Sequence, residues 1–167
     1  AGHRAVVFLN LLGSDPPVDF CVDDDPNKRG LRLPGSGLPI LSSASLMERH
    51  GVDALFLMKP ANLAYLTGDG RPCALGLLTR SLHCIVSVPA SDLRSVRAVS
   101  AATDVRAFRS EEEMFHGFRD VLKDLGLTQA TIALEKNFFD ASLYDVFKAH
   151  ILPKATVVSA PPVMSGR

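Results

Sequence analysis

With 167 residues, of which 47% are hydrophobic and 22% charged, the chain has the composition of one globular domain with room for an appendage. Its 18 basic side chains are balanced by 18 acidic ones, and no basic cluster is longer than a pair, which excludes the electrostatic signature of a nucleic-acid-binding protein. No apolar run approaches the ~20 residues that span a bilayer, so no membrane-spanning helix is predicted.

The cysteines and histidines form neither a disulfide framework nor a metal-binding motif. Cys21, Cys73 and Cys84 are odd in number and irregularly spaced, which favours free thiols in a reducing, cytoplasmic environment. The five histidines are scattered, and no CxxC, HxH or HExxH motif occurs. We therefore predict no metal site made by this chain alone.

The first forty residues are poor in regular structure. Residues 13–39 hold five prolines and four glycines, a density that disfavours both helices and sheet ladders. The run Asp23-Asp24-Asp25 lacks the alternating spacing of an EF-hand, so a solvated charge run is favoured over a cation site. We predict an irregular arm over residues 1–40, and the sequence leaves open whether it is an added contact, a divergent strand or a vector remnant.

Regular structure is predicted from Ser42 onward. Serine N-caps and Gly51 bound a short helix, and Pro60 and Gly68 suit the first turn and the end of another. The run VDALFLM between them is typical of a strand that is covered on both faces. The next elements are a hairpin of residues 74–79 and 82–89, a helix over 90–99 capped by Ser91, and a strand over 105–108.

The second half of the chain continues the alternation of helices and strands. Ser110 and Glu113 form a capping box at the start of a helix that ends before Gly126 and carries one apolar stripe. A later helix over 140–152 is predicted to bury one side, with His150 at its end. Strands are predicted over 131–135 and 156–160. The fold class is therefore α/β, with a mixed β-sheet flanked by helices. The apolar side of the later helix would consist of Leu143, Val146, Phe147, His150 and Ile151.

Sequence motifs for catalysis are missing. There is no GxSxG elbow and no P-loop, and the glycines of GDG at 68–70 follow a helix instead of opening one. The distinctive feature is the loop after Gly68, in which Arg71 stands beside a proline. Arg is suited to bidentate capture of a carboxylate. The alternative is a surface turn in which Arg71 pairs with Asp69, which is worth at most ~1 kcal/mol.

The stretch LMERHGVDALFLMKPANLAYLTG, residues 46–68, resembles the N-terminal domain of the creatinase/prolidase/aminopeptidase P family. Members share a helix ending in glycine, an aspartate before an apolar strand, and a P-x-N-x-x-Y-x-x-G stretch. Pro60, Asn62, Tyr65 and Gly68 match that stretch position by position. The resemblance continues in order to the closing VVSAPPVMSGR, so the predicted domain covers residues 41–167.

The resemblance implies a ribonuclease H-like shape for this domain. It also implies a C-terminal "pita-bread" catalytic domain, which is expected to be absent from this chain and which in the peptidases holds two divalent metal ions such as Mn or Zn. The expected partners are that domain, a second copy in a homodimer, and a peptide or small-molecule substrate. The loop after the matched motif would reach a neighbouring subunit's active site, with Arg71, Tyr65 and Asp69 as substrate-binding residues.

The function that the resemblance implies is that of a non-catalytic N-terminal domain of a Xaa-Pro dipeptidase- or aminopeptidase-like hydrolase, which supports dimerisation and gates substrate access. This fragment alone is not expected to be active. Two alternatives stay open. The domain could belong to a creatinase-like amidinohydrolase, or it could be a non-catalytic interaction module.

Overall fold

The computed structural model describes residues 18–69 and 74–160 of the chain. Within these two ranges it contains eight strands and five helices, and none of these helices is long and apolar enough to cross a membrane. In chain order the elements are β1 (Cys21–Val22), β2 (Ile40–Leu41), α1 (Ser43–Arg49), β3 (Ala54–Leu57), α2 (Pro60–Thr67), β4 (Leu75–Thr79), β5 (Cys84–Pro89), α3 (Leu93–Arg97), β6 (Asp104–Phe108), α4 (Glu111–Asp124), β7 (Thr131–Leu134), α5 (Ala141–His150) and β8 (Thr156–Ser159).

Six strands form one mixed sheet in the order β6-β5-β4-β3-β7-β8. Strand β4 pairs antiparallel with both of its neighbours, β3 and β5. It is joined to β5 by a direct hairpin, whereas α2 lies between β3 and β4. The other pairings, β5 with β6, β3 with β7 and β7 with β8, are parallel and need a crossover connection. The predicted fold class, a mixed sheet flanked by helices, is confirmed.

Helices cover both faces of this sheet. Leu55 and Leu57 of β3 pack in a first core with α1, α2 and α3. Ala54 and Phe56, which point to the opposite face, pack in a second core with α4 and α5. The strand is therefore buried on both sides, which explains why it reads as a continuous apolar run.

The predicted helix ends are confirmed at three places. The Ser42 hydroxyl accepts the N–H of Ser45 at 3.1 Å, and the Ser110 hydroxyl accepts that of Glu113 at 3.2 Å. Gly68 ends α2 in the left-handed conformation, with φ 71°. In the capping box of α4, the Glu113 carboxylate accepts the N–H of Arg109, one residue earlier than the usual partner.

Helix α3 differs from its prediction in length and in its cap. It covers only Leu93–Arg97, and Asp92, not Ser91, stands at the N-cap. Asp92 has helical dihedral angles, φ −100° and ψ −8°, whereas a capping side chain folds over the first turn from an extended backbone. The Ser91 hydroxyl instead contacts the Asp92 carboxylate at 3.3 Å.

The buried side of α5 was also predicted too broadly. Phe147 is fully buried, whereas Val146 is 40% exposed and His150 lies at the exposed end of the helix. Successive helical residues are about 100° apart, so turning Phe147 inward turns Val146 away. Ile151 is buried, but it follows the last helical residue.

The described part of the first forty residues is packed onto the domain. β1 and β2 pair in parallel, and Leu33, Leu38 and Ile40 form a small buried cluster. The Asp24 carboxylate accepts both the N–H and the hydroxyl of Ser43, at 2.8 and 2.7 Å, at the start of α1. Asp24, the middle residue of the Asp triplet, therefore binds the start of α1.

Helix α2 packs very closely on strand β4 at Gly76. A Cβ atom at this position would lie 2.6 Å from Cδ2 of Leu63, whose side chain is fully buried. We expect Gly76→Ala to lower the free energy of unfolding by about 1–3 kcal/mol, because the overpacked Leu63 has little room to move. Urea denaturation of this chain measures the change.

Gly117 offers a matched control for that substitution. It lies inside α4, and among the described residues no atom would come within 4 Å of an added Cβ. Gly117→Ala should therefore stabilise the chain by about 0.5–1 kcal/mol through helix propensity. Equal stabilities of Gly76→Ala and the wild type would contradict the close packing of α2 on β4.

Candidate functional site

The family-like motif corresponds to helix α2. Pro60 is the first helical residue, where its missing N–H would be unpaired in any case, and Gly68 closes the helix. Leu63 and Thr67 are fully buried and define the inner side of the helix. The motif therefore sets both the ends and the orientation of this element.

Asn62, the second motif residue, is bound to a carboxylate from a distant part of the chain. Glu135 directly follows β7 and is only 2% exposed. One of its oxygens accepts the N–H of Met58 at 2.6 Å and that of Lys59 at 2.7 Å, and the other accepts the side-chain N–H of Asn62. The carboxylate thus lies at the positive end of the α2 dipole.

Sequence reasoning did not recognise this role of Glu135, which it treated only as the end of a strand. The available signal was a charged residue immediately after the apolar run TIAL. An acidic side chain in that position is buried only when it is paired or hydrogen-bonded. Its partners, however, lie more than 70 residues away and were not accessible from the sequence pattern.

Glu135 occupies the topological switch point of the sheet. Strands β3 and β7 are parallel neighbours. The helix after β3, α2, packs in the first core, and the helix after β7, α5, packs in the second. In open α/β sheets, ligands bind in the crevice at the carboxyl ends of two such strands. Here the chain's own carboxylate fills that position.

Tyr65 projects from the outer side of α2. It is 82% exposed, and it lies two residues, or about 200°, from the buried Leu63. The exposed residues around it on the helix, Pro60, Ala61 and Gly68, carry no charge. Among the described residues, packing therefore leaves most of this aromatic side chain in solvent.

Asp69 lies directly after the same helix but in a different environment. It is 7% exposed, and its N–H donates to the hydroxyl of Thr67 at 3.2 Å. That hydroxyl donates in turn to the carbonyl of Leu63 at 2.8 Å. The structure thus brings Tyr65 and Asp69 to one end of α2, with Tyr65 in solvent and Asp69 inside. Arg71, the third predicted site residue, lies outside the described residues.

The described residues do not form a metal site. Within 18–69 and 74–160, no three His, Cys, Asp or Glu side chains are grouped so that they could hold an ion.

The two described cysteines lie in different environments. Cys84 is buried in the first core, and burial raises the pKa of the half-buried Cys21 thiol. Cys73 is outside the described ranges.

Comparison with family models gives one extended match. The model described as the creatinase/prolidase N-terminal domain matches residues 41–166, which is most of the chain. A model described as a C-methyltransferase C-terminal domain matches residues 1–63, and its range ends inside α2, so it delimits no unit of the fold. No curated protein matches the sequence.

Solved structures of Xaa-Pro peptidases share the fold. An aminopeptidase P from Streptococcus thermophilus is 17% identical, with a TM-score of 0.60 over 74% of this chain and 90% of that one. The N-terminal domain of an X-Pro dipeptidase from Streptococcus pyogenes is 17% identical, with a TM-score of 0.60 over 74% of this chain and 94% of that one.

A prolidase from Pyrococcus furiosus is also 17% identical, with a TM-score of 0.57, and 73% of this chain matches 35% of that one. The chain thus spans about a third of that prolidase and of an X-Pro aminopeptidase from Thermotoga maritima, of which it covers 32%. The shared fold, the motif on α2 and the family model over residues 41–166 lead to one conclusion: the chain belongs to the creatinase/prolidase N-terminal domain family.

Proposed function

We propose that the chain is the non-catalytic N-terminal domain of a Xaa-Pro dipeptidase- or aminopeptidase-like hydrolase in the cytoplasm, and that it supports dimerisation and gates access to the active site. The observation that carries the proposal is the exposure of Tyr65. Three of the four motif positions have structural roles, since Pro60 begins α2, Asn62 binds Glu135 and Gly68 ends the helix. Tyr65 is 82% exposed and is available to a substrate or a partner subunit.

In this proposal the chemistry lies in a C-terminal domain. Residues of that domain would hold two divalent metal ions, such as Mn or Zn, which supply the hydrolytic chemistry when bound. The α/β domain contributes a surface, made by the outer side of α2 and the loop that follows it. The precedent is that relatives with the same fold are named as Xaa-Pro peptidases, of which this domain spans about a third in two cases.

The three proposed site residues have different tasks. Arg71 would bind the carboxylate of a short peptide substrate in the partner subunit's active site, because its planar guanidinium matches a carboxylate in two hydrogen bonds. Tyr65 would form the edge of the pocket. Asp69 is expected from the resemblance to bind substrate as well, but because it is only 7% exposed at the end of α2 its proposed task is to set where the loop begins.

The kinetic test uses the complete gene product that contains this chain, assayed with Xaa-Pro substrates. We expect Arg71→Ala to lower kcat/KM about tenfold, chiefly by raising KM, which is the scale of one lost charge-assisted contact. Arg71→Lys should recover part of the lost kcat/KM, because lysine restores the positive charge but not the two parallel N–H donors of the guanidinium. Steady-state kinetics at several substrate concentrations separates the two constants.

Arg119→Ala is the matched control. Arg119 is exposed on α4, which packs on the opposite face of the sheet from α2, and its removal should leave both constants unchanged. Arg71→Ala kinetics equal to those of the wild type would retire the substrate-binding role. A folded but inactive complete protein would instead favour the interaction module.

A further inference from the structure

We propose that Glu135 is a positioning residue for this site: its carboxylate sets the start of α2 and thereby the direction in which Tyr65 faces a partner. The inference deepens the proposed function and rests on it for the role in substrate access. The positioning itself depends on hydrogen bonds within this chain and can be tested without an activity assay.

The carboxylate replaces a local helix cap. Lys59 is the N-cap residue of α2, and within residues 18–69 and 74–160 its side chain makes no hydrogen bond to the first turn. Pro60 has no N–H to offer. Glu135 instead accepts three donors at this helix start, the N–H groups of Met58 and Lys59 and the side-chain amide of Asn62.

The helix is held at two further points, neither of which involves a charged group. Leu63 packs against Gly76 of β4, and the carbonyl of Thr67 accepts the N–H of Ala101 at 2.7 Å. These contacts hold the middle and the end of α2. Among the described residues, the Glu135 carboxylate adds hydrogen bonds from the end of β7 to the start of α2, and we expect these to set the tilt of the helix that carries Tyr65.

The hydrogen bond between Asn62 and Glu135 runs in one direction, from the Asn62 amide to the Glu135 carboxylate, and this direction can be tested. A carboxylate only accepts hydrogen bonds, whereas a carboxamide can donate or accept after its amide group turns over. Asn62→Asp places two carboxylates against each other in a buried site. Glu135→Gln can keep its oxygen on the two backbone N–H groups and donate its amide to the oxygen of a turned Asn62. The double variant N62D/E135Q restores a donor and an acceptor.

The measurement uses this chain with Tyr144→Phe as the background. The chain has two tyrosines and no tryptophan, so Tyr65 then supplies the emission alone. We expect Asn62→Asp to lower the folding equilibrium constant about 30-fold. In the double variant, adding Glu135→Gln should raise that constant again by about tenfold or more relative to Asn62→Asp alone. Tyr65 fluorescence anisotropy should fall in Asn62→Asp and return in the double variant.

A second substitution and a control complete the set. Asn62→Ala removes the donor without adding charge, and it should change the Tyr65 anisotropy in the same direction even if Asn62→Asp does not fold. Glu48→Gln makes the same chemical change as Glu135→Gln at an exposed position of α1 and should change neither quantity. The positioning role is overturned if the effects of the two substitutions simply add and Tyr65 keeps its anisotropy throughout.

Kinetics of the complete protein then separate this inference from the proposed function. If both hold, Asn62→Ala raises KM with little change in kcat, because the substrate-facing surface is displaced while the catalytic groups are not. If the Tyr65 anisotropy changes but KM does not, Glu135 still positions α2, and the role of α2 in substrate access is refuted.

Discussion

Replacing Phe147 with alanine is expected to lower the free energy of unfolding by about 3–5 kcal/mol. Phe147 is fully buried, and its ring contacts those of Phe56, Phe139 and Phe115, with centroid distances of 4.8, 5.2 and 5.9 Å. All three pairs have edge-to-face geometry, which adds to the loss of buried area. Urea denaturation followed by far-ultraviolet circular dichroism measures the effect.

The neighbouring residue supplies the control. Val146 is 40% exposed on the same helix, so Val146→Ala should cost less than about 1 kcal/mol. Phe147→Leu, which retains much of the buried volume, should lie between the two. A cost at Val146 as large as that at Phe147 would mean that α5 presents a different side to the sheet.

Removal of the Glu135 carboxylate is expected to have the second large effect. Glu135 is 2% exposed, and Glu135→Ala leaves three partly buried hydrogen-bond donors at the start of α2 without their acceptor. The expected cost is about 3 kcal/mol or more, because hydrogen bonds to a charged group are among the strong ones and buried donors are costly to abandon. At this chain length the melting temperature should fall by about 6–12 °C, as measured by scanning calorimetry.

Two variants distinguish this effect from a general loss of negative charge. Glu48→Ala removes an exposed carboxylate from α1 and should change stability by no more than about 0.5 kcal/mol. Glu135→Gln keeps the size and one acceptor oxygen and should cost about 1 kcal/mol. Equal melting temperatures for Glu135→Ala and Glu48→Ala would show that the buried carboxylate does not support α2.

Local patterns were sufficient to predict most of the secondary structure. Ser42 and Ser110 cap the helices that they were expected to cap, and Gly68 and Gly126 follow helices with positive φ. These signals operate within a few residues, through side chains that bond the nearest backbone N–H groups or through the conformational freedom of glycine. They therefore do not depend on where the element packs.

One failed prediction depended on packing and another on local backbone conformation. The apolar pattern of α5 allowed Val146 and Phe147 to share a buried side, and only the position of three other aromatic rings decided that Phe147 faces the sheet. The cap of α3 failed because the backbone at Asp92 turns helical before a side chain can fold over the first turn. The spacing of apolar residues predicts that a segment is helical. Which side of the helix is buried, however, depends on the residues of the layer against which it packs.

The sequence by itself determined the order of the elements from α1 onward and the motif that marks this family, because each is written in contiguous residues, whereas strands β1 and β2 lie where an irregular arm was predicted. Only the tertiary structure decided what the motif does. Asn62 meets Glu135 because parallel pairing of β3 with β7 brings the ends of two distant strands together. Tyr65 remains outside because Leu63 packs against Gly76 and turns the opposite side of α2 to solvent. Contacts between residues that are far apart in the chain therefore fix the role of Asn62 and leave Tyr65 exposed to solvent.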